Sequence, residues 1–301
     1  MKQCVRIAII IGIAACVLPA NASAVSLDLG DAVDFALLAM PQGTDPVDVP
    51  DVTLFSSAVV TGDVAVGLNG SYTVLSGADV NGDAYLAAGV TTTFFGNPGD
   101  NVFSNQNLSG PINDAVQGSA DADALAATQT VAVPVLSSTT WTSSGIGAVN
   151  VIDVGIINLG GVDVLTLSGD PTSYFIINVS TTFNALGSSS IVASGGLTPG
   201  HVLFNFPTAG TDVNILGDGV GIGTFLAPFR DAQVHGDLLT GAVIANDITI
   251  GSSGRLTHYP FESFPPPPEE EPIIPEPSSA LLLGLGLLGA RARTRRSSSS
   301  V

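Results

Sequence analysis

Acid–base or metal chemistry in this chain would have to come from three histidines, two internal arginines and a scatter of aspartates. His201, His235 and His258 lie far apart, none at i, i+4 spacing on a helical pattern and none with partners at zinc-ligand spacing. They read as turn or edge residues, with Gly200-His201 at the start of a strand. The densest cluster is FRDAQVHGD, in which Arg230, Asp231, His235 and Asp237 fall within eight residues. On an alternating strand Asp231 and His235 share a face while Arg230 points elsewhere, a poor catalytic constellation. A polysaccharide lyase needs a basic group to take a proton beside Ca²⁺-binding acids, and only Arg230 and Arg255 are available for that role. Asp79, Asn81 and Asp83 begin like an EF-hand loop, but its glycine and closing glutamate are not in place. No G-x-S-x-G elbow, P-loop or dinucleotide fingerprint occurs. The expectation is therefore no catalytic residue and no cofactor. Ca²⁺ is the one ion in play, with Asp212, Asp231 and Asp247 as weak candidate ligands.

Those three aspartates open a repeating pattern. DVNI (Asp212 to Ile215), DAQV (Asp231 to Val234) and DITI (Asp247 to Ile250) each read aspartate, apolar, polar, apolar, and their starts recur at unequal steps a little under twenty. Denser apolar strands alternate with them: YFIINV from Tyr174, VLFNF from Val202, TFLAP from Thr224 and AVIAN from Ala242. In the first half, VVTGDVAVG is echoed by DVNGDAYLAAG, with Asp63 and Asp83 twenty residues apart. Short strands at such a period, separated by Gly-Asp and Gly-Ser turns, point to a β-solenoid, in which neither kind of strand buries its apolar face until the coils stack. An aspartate opening a strand is suited to cap the backbone nearby, so these residues are expected to be structural. VDFALLAM, from Val33, reads as a first strand or a short helix. The alanine-rich stretch Asp114 to Ala132 reads as one α-helix starting near Ser119, either covering a side or edge of the solenoid or inserted at its surface.

The 301 residues are 45% hydrophobic but only 6% aromatic, with 35 glycines, so any core is built from small and β-branched side chains. All 26 acidic residues lie between Asp28 and Glu276, where Arg230 and Arg255 are the only cations; 2 minus 26 gives −24. A body so charged repels phosphate backbones and excludes nucleic acid as a partner. Met1 to Ala24 reads as a secretory signal, with Ala22 and Ala24 flanking Ser23 at the cleavage site. IAAC at Ile13 to Cys16 offers a competing lipoprotein-type box. Cleavage after Ala24 removes Cys4 and Cys16, the only cysteines, and leaves an exported protein without disulfides. PPPPEEEPIIPEP follows Phe264 as a stiff, solvated linker. Ala280 to Ala290 is wholly apolar, yet as a helix it rises only about 16 Å, against a bilayer core of about 30 Å.

Pro275-Glu276-Pro277, this short apolar run and the closing cluster Arg291, Arg293, Arg295 and Arg296 resemble a PEP-CTERM sorting domain. The resemblance implies processing by an exosortase in a Gram-negative bacterium that makes exopolysaccharide. It also implies transient inner-membrane anchoring through a transmembrane segment, with the basic end cytoplasmic. The stretches VTGDVAVG, HVLFNFP, GTFLAP, VHGDLLTGAVIA and HYPF resemble the choice-of-anchor A family, whose features also occur in ice-binding-like bacterial β-solenoids.

The expected organisation is a signal peptide (1–24), a mainly β solenoid with one lateral or capping helix (25–264), a linker (265–274), a sorting signal (275–296) and a polar tail (297–301). The expected role is a non-catalytic exported protein of the cell surface or extracellular matrix, meeting extracellular polysaccharide or neighbouring cells in adhesion or biofilm. Ice or surface binding is the first alternative and a polysaccharide-active enzyme the second. Ice binding would want a Thr/Ser/Ala ladder; TTTFFG (from Thr91) and STTF (from Ser180) suggest one, but later coils do not repeat T-x-T.

Overall fold

The computed structural model describes residues 26–41, 49–217, 219–235 and 238–264. The signal peptide, the linker and the sorting tail with its arginines lie outside the described residues. Residues Ser26–Pro265 form one compact unit. Among the described residues its strands join in parallel ladders, 19 in one continuous sheet and three in another, with one α-helix beside them. The mainly β solenoid is thus the architecture observed.

The dense apolar strands stack into one face. In axial order it runs Gln129–Val131, Val149–Leu159, Tyr174–Gly187, Val202–Asn205, Val220–Ala227, Leu238–Ala245, Phe35–Ala39, Asp63–Val66, Ala84–Ala87 and Val102–Gln106. Most of these strands are buried on both sides, as in BBBBB for Phe35–Ala39, because the helix together with the segments around Leu27, Leu29, Phe261 and Phe264 covers their outer surface. The alternating strands make a second face, in which Val213–Gly217, Ala232–His235, Ile248–Ile250, Asp51–Leu54, Ser71–Val74 and Thr91–Phe94 follow one another. The distal part of the long strand Tyr174–Gly187 pairs with the first of these. Long strands that turn a corner belong to both faces, which is why most of the ladders form one sheet. The third face combines Thr139–Thr142, Val164–Ser168 and Ser190–Ser194 with the opening residues of Val220–Ala227 and Leu238–Ala245, then Arg255–His258, Val59–Thr61 and Asp79–Asn81.

Glycine occupies the corner of this third face. Gly223 and Gly241 are in register, both at positive φ (99° and 158°), and a Cβ on Gly223 would lie 2.7 Å from Val202 Cγ1. The core inside the ladders is mostly aliphatic; besides Tyr72, Trp141 and Phe175, its aromatic residues form a cluster in which Phe183 meets Phe204, Phe206 and Phe225 at centroid distances of 5.5, 5.7 and 5.5 Å.

Coil order does not follow chain order. The chain starts in the middle, winds to one end at Val102–Gln106, and resumes at the opposite end at Gln129–Val131. It then winds back until the last coil stacks on the first, pairing Val243 with Leu37, Ile248 with Val52 and Leu256 with Val60. Ten strands of the covered face span nine steps, about 43 Å at the usual strand spacing. The helix Ser109–Ala124 supplies about 24 Å of the return.

The helix begins ten residues before the expected start at Ser119. Ser109, Gly110 and Pro111 are poor helix formers, but they occupy the first turn, where a missing N–H costs nothing. Asn107 Oδ1 accepts bonds from the Ser109 amide (3.1 Å) and hydroxyl (2.8 Å) and caps that end. The helix buries Ala115, Gly118, Ser119 and Ala122, a stripe of small residues that lets it sit close to the sheet; a Cβ at 118 would collide with Leu29. Ser119 Oγ donates to Asn205 Oδ1 (2.6 Å), and Asn205 Nδ2 donates to Ser119 O (3.0 Å) and Asn178 Oδ1 (2.9 Å). Of the two expected alternatives for Val33 to Met40, the strand is the one formed, Phe35–Ala39, led into by the 3₁₀ turn Gly30–Asp34.

Candidate functional site

Within each alternating strand the apolar residues point into the core and the residue between them points out. Parallel register then aligns the outward residues of successive coils. On the second face they form one file: Asn158, Asn184, Asn214, Gln233, Thr249, Thr53, Thr73 and Thr93. Rungs of such a file are about 4.8 Å apart, and neighbours touch, as where Asn214 Nδ2 donates to Asn184 Oδ1 at 2.9 Å. A second file on the third face contains Ile222, Thr240, Thr257, Thr61 and Asn81, with Thr140 beside Thr166 further along.

Asp231, Asp247 and Asp51 flank the first file, and each serves the next coil. Asp231 Oδ1 accepts from the Asp247 amide (3.4 Å) and Asn246 Nδ2 (3.0 Å), Asp247 Oδ1 from the Asp51 amide (2.9 Å), and Asp51 Oδ1 from the Ser71 amide (2.8 Å). Asp63 and Asp83 do the same for the amides of Asp83 (2.8 Å) and Asn101 (3.1 Å). These carboxylates therefore cap backbone, but backbone one coil away rather than nearby in sequence. Asp212 Oδ2 accepts from Gln233 Nε2 at 3.3 Å. Among the described residues, no group of three or more His, Cys, Asp or Glu is placed to hold a metal ion.

The FRDAQVHGD cluster does not assemble. Asp237 lies outside the described residues. Arg230 is 1% exposed and turns inward, over the Phe206 ring at 5.5 Å. Its guanidinium donates to the carbonyls of Thr208 (Nε, 2.7 Å), Thr181 (Nη1, 2.7 Å) and Ser180 (Nη2, 2.9 Å). Burial lowers its pKa from the ordinary value, yet all three of its nitrogens donate to backbone carbonyls, Val179 O also accepting from Nη2 at 3.4 Å. A lyase base at Arg230 is excluded by that geometry.

The histidines lie in a turn and at strand ends, His201 being buried there and His235 and His258 half-buried. His201 closes a 3₁₀ turn before the strand rather than opening it, stacks on Tyr174 at 4.1 Å, and pairs through Nε2 with Glu262 at 3.2 Å. His258 Nε2 donates to Val33 O at 2.9 Å, and burial lowers its pKa. His235 ends the strand Ala232–His235.

The single-residue polar file escapes sequence reading because its members recur at unequal steps from Asn158 to Thr249 and evenly only from Thr53 to Thr93. The available signal is the third position of each D-x-x-x stretch, as in DVNI, DAQV and DITI.

A family model described as an ice-binding-like adhesive domain matches residues 26–258, most of the chain. The chain belongs to that family. The PEP-CTERM protein-sorting motif matches residues 274–296, so this adhesive domain is followed by a signal that implies exosortase processing and belongs to an exported surface protein. No curated protein matches the chain significantly. Among solved structures, the ice-binding protein of the Antarctic ascomycete Antarctomyces psychrotrophicus is similar at TM-score 0.51 and 20% identity, over 78% of this chain and 98% of that one. A glycosylated ice-binding protein from an Arctic yeast is similar at TM-score 0.53 and 14% identity, over 82% and 97%. At these identities the likeness is one of fold. Among the described residues no helix is long and apolar enough to cross a membrane, and the expected transmembrane segment lies outside them.

Proposed function

We propose that this adhesive domain is a non-catalytic, surface-displayed binder of repetitive polymers, holding extracellular polysaccharide or the surfaces of neighbouring cells as in a biofilm matrix. The observation that carries the reading is the eight-rung file from Asn158 to Thr93, whose amides and hydroxyls offer hydrogen-bonding groups at a fixed repeat. A polymer with its own repeat gains many weak contacts at once on such an array. Ca²⁺ enters only as a bridge from Asp212, Asp231 or Asp247, each acting singly, to an acidic glycan. The test is binding of residues 26–265 to purified exopolysaccharide and to whole cells, with and without a chelator. Thr73→Tyr, on the seventh of the eight rungs, should weaken binding about tenfold while Thr257→Tyr, on the other face, does not. Equal binding by all three proteins sinks the reading, and an unchanged result with chelator removes the Ca²⁺ bridge.

Ice binding is the second reading. It is favoured by the consecutive threonines Thr249, Thr53, Thr73 and Thr93 within the file and by the ice-binding proteins that share the fold. Ice-crystal shaping by the intact protein, lost in Thr73→Tyr, is its expected sign; unshaped ice rules it out. In either case the tail serves as a removable address. Intact mass of surface-located protein should place the C-terminus near Pro277, and a mass that includes Arg291 to Arg296 contradicts that.

A further inference from the structure

The threonine half of the polar file has an apolar neighbour. Two residues beyond Thr53, Thr73 and Thr93 stand Phe55, Leu75 and Phe95, and the ladder carries on into this column. The amides of Phe55, Leu75 and Phe95 donate to Ile250 O (2.8 Å), Leu54 O (2.9 Å) and Val74 O (2.8 Å), each one coil away. Side chains alternate along a strand, so with Leu54 and Val74 inside, Phe55 and Leu75 face out beside the threonines. Phe55 is 40% and Phe95 71% exposed, and Leu75 is half-buried. The core does not call on these rings, because the turns they open are filled inwardly by Ala58 and Ala78. In the coil before Phe55 the same column holds the ring of His235, which occupies the space that a Cβ on Gly251 would need.

Phe55 and Phe95 lie two strand spacings apart, about 10 Å, which is the advance of two sugar rings in an extended β-linked chain. The threonine file runs alongside at about 7 Å, two residues along each strand. An aromatic face is the negative side of the ring quadrupole and meets the C–H face of a pyranose, while threonine hydroxyls both donate to and accept from the hydroxyls at its edge. Charge selects further. The unit has two arginines: Arg230 is turned inward, and Arg255 opens a strand of the third face. An acidic sugar would find neither of them here and would be repelled by a body of net −24.

We propose that Thr53, Thr73 and Thr93 with Phe55, Leu75 and Phe95 form a binding site for a neutral, extended β-linked polysaccharide lying along the solenoid axis. Alternate rings of the polymer stack on Phe55 and Phe95, Leu75 underlies the ring between, and the threonines hold their hydroxyl edge. The inference rests on the polymer-binding reading of this face and narrows its threonine half to one class of glycan.

The test is native electrophoresis of residues 26–265, the compact unit, in gels containing hydroxyethylcellulose, dextran or alginate, all with chelator. Hydroxyethylcellulose should retard the protein; α-linked dextran and acidic alginate should not. Phe55→Ala and Phe95→Ala should each weaken the retardation about tenfold with an unchanged melting temperature. Phe95→Trp should keep it and Phe95→Leu lose it, since leucine would serve a merely apolar contact. Equal retardation by the three polymers, or a Phe95→Leu protein that binds like the parent, overturns the proposal. So does sedimentation showing that a second copy covers the column, as a dimer that Phe95→Ala dissolves. Binding to native exopolysaccharide and cells that Thr73→Tyr weakens but both Phe→Ala variants leave intact overturns this site alone and leaves the polymer-binding reading standing. Absence of all binding removes both.

Discussion

Arg230 meets no carboxylate within salt-bridge distance among the described residues; carbonyl oxygens of Thr181, Ser180 and Thr208 solvate its charge instead. It ties together segments some 50 and 22 residues away in sequence. Arg230→Met should therefore cost about 3 kcal/mol or more, because several buried carbonyls lose their donor. In calorimetry that is a melting temperature lower by roughly 6–12 °C for a domain of this size. Asp170 is the converse case, a carboxylate that is partly exposed. Bonds from Ser173 Oγ (2.6 Å), then from Thr172 and the Gly147 amide, hold its pKa well below the usual carboxylate range. A lowered folded pKa stabilises above the unfolded value of about 3.9, and the contribution fades as pH falls through and below it. Asp170→Asn should therefore melt lower than the parent at pH 7, with the gap narrowing below about pH 4.

The return helix is held by polar contacts as well as by its small-residue face. Asn205 is fully buried, and its side chain is satisfied by Ser119 and Asn178. Ser119→Ala keeps the close fit but removes the 2.6 Å donor to Asn205 Oδ1. A loss of about 1–3 kcal/mol follows, with faster amide exchange concentrated in Ser109–Ala124. Uniformly faster exchange across the solenoid would mean that the helix and the ladders open as one unit. The helix is also the element whose bounds composition misplaces. Alanine content marks its second half, whereas its first half is specified by the Asn107 cap and by its place beside Leu29, which composition does not reveal.

In an ordinary solenoid the last coil in sequence is an end repeat and can be shed. Here Leu238–Ala245, Ile248–Ile250 and Arg255–His258 lie in the middle of the stack, with coils on both sides. Ending the chain at residue 237 should therefore abolish cooperative folding altogether, leaving aggregated protein in expression trials. Recovery of a soluble, cooperatively melting fragment would show that the two halves of the stack are independent. The same continuity lets the polar file run from Asn158 to Thr93 without a break at the join, where Thr249 meets Thr53.

By itself the sequence determined the repeating unit: apolar alternation chose β-strands, a near-twenty-residue echo chose stacking, and the aspartates marked where strands begin. These are local periodicities, carried by neighbours in the chain. The tertiary structure decided what depends on distant partners. It chose which coil stacks on which, so that the last meets the first, and it aligned irregularly spaced Asn, Gln and Thr residues into one file. It also turned Arg230 inward, away from the acidic residues beside it in sequence. Parallel register fixes position only across strands. Coils differ in length, the step from Asn184 to Asn214 being far longer than that from Asp231 to Asp247, and this conceals the register until the ladders have formed.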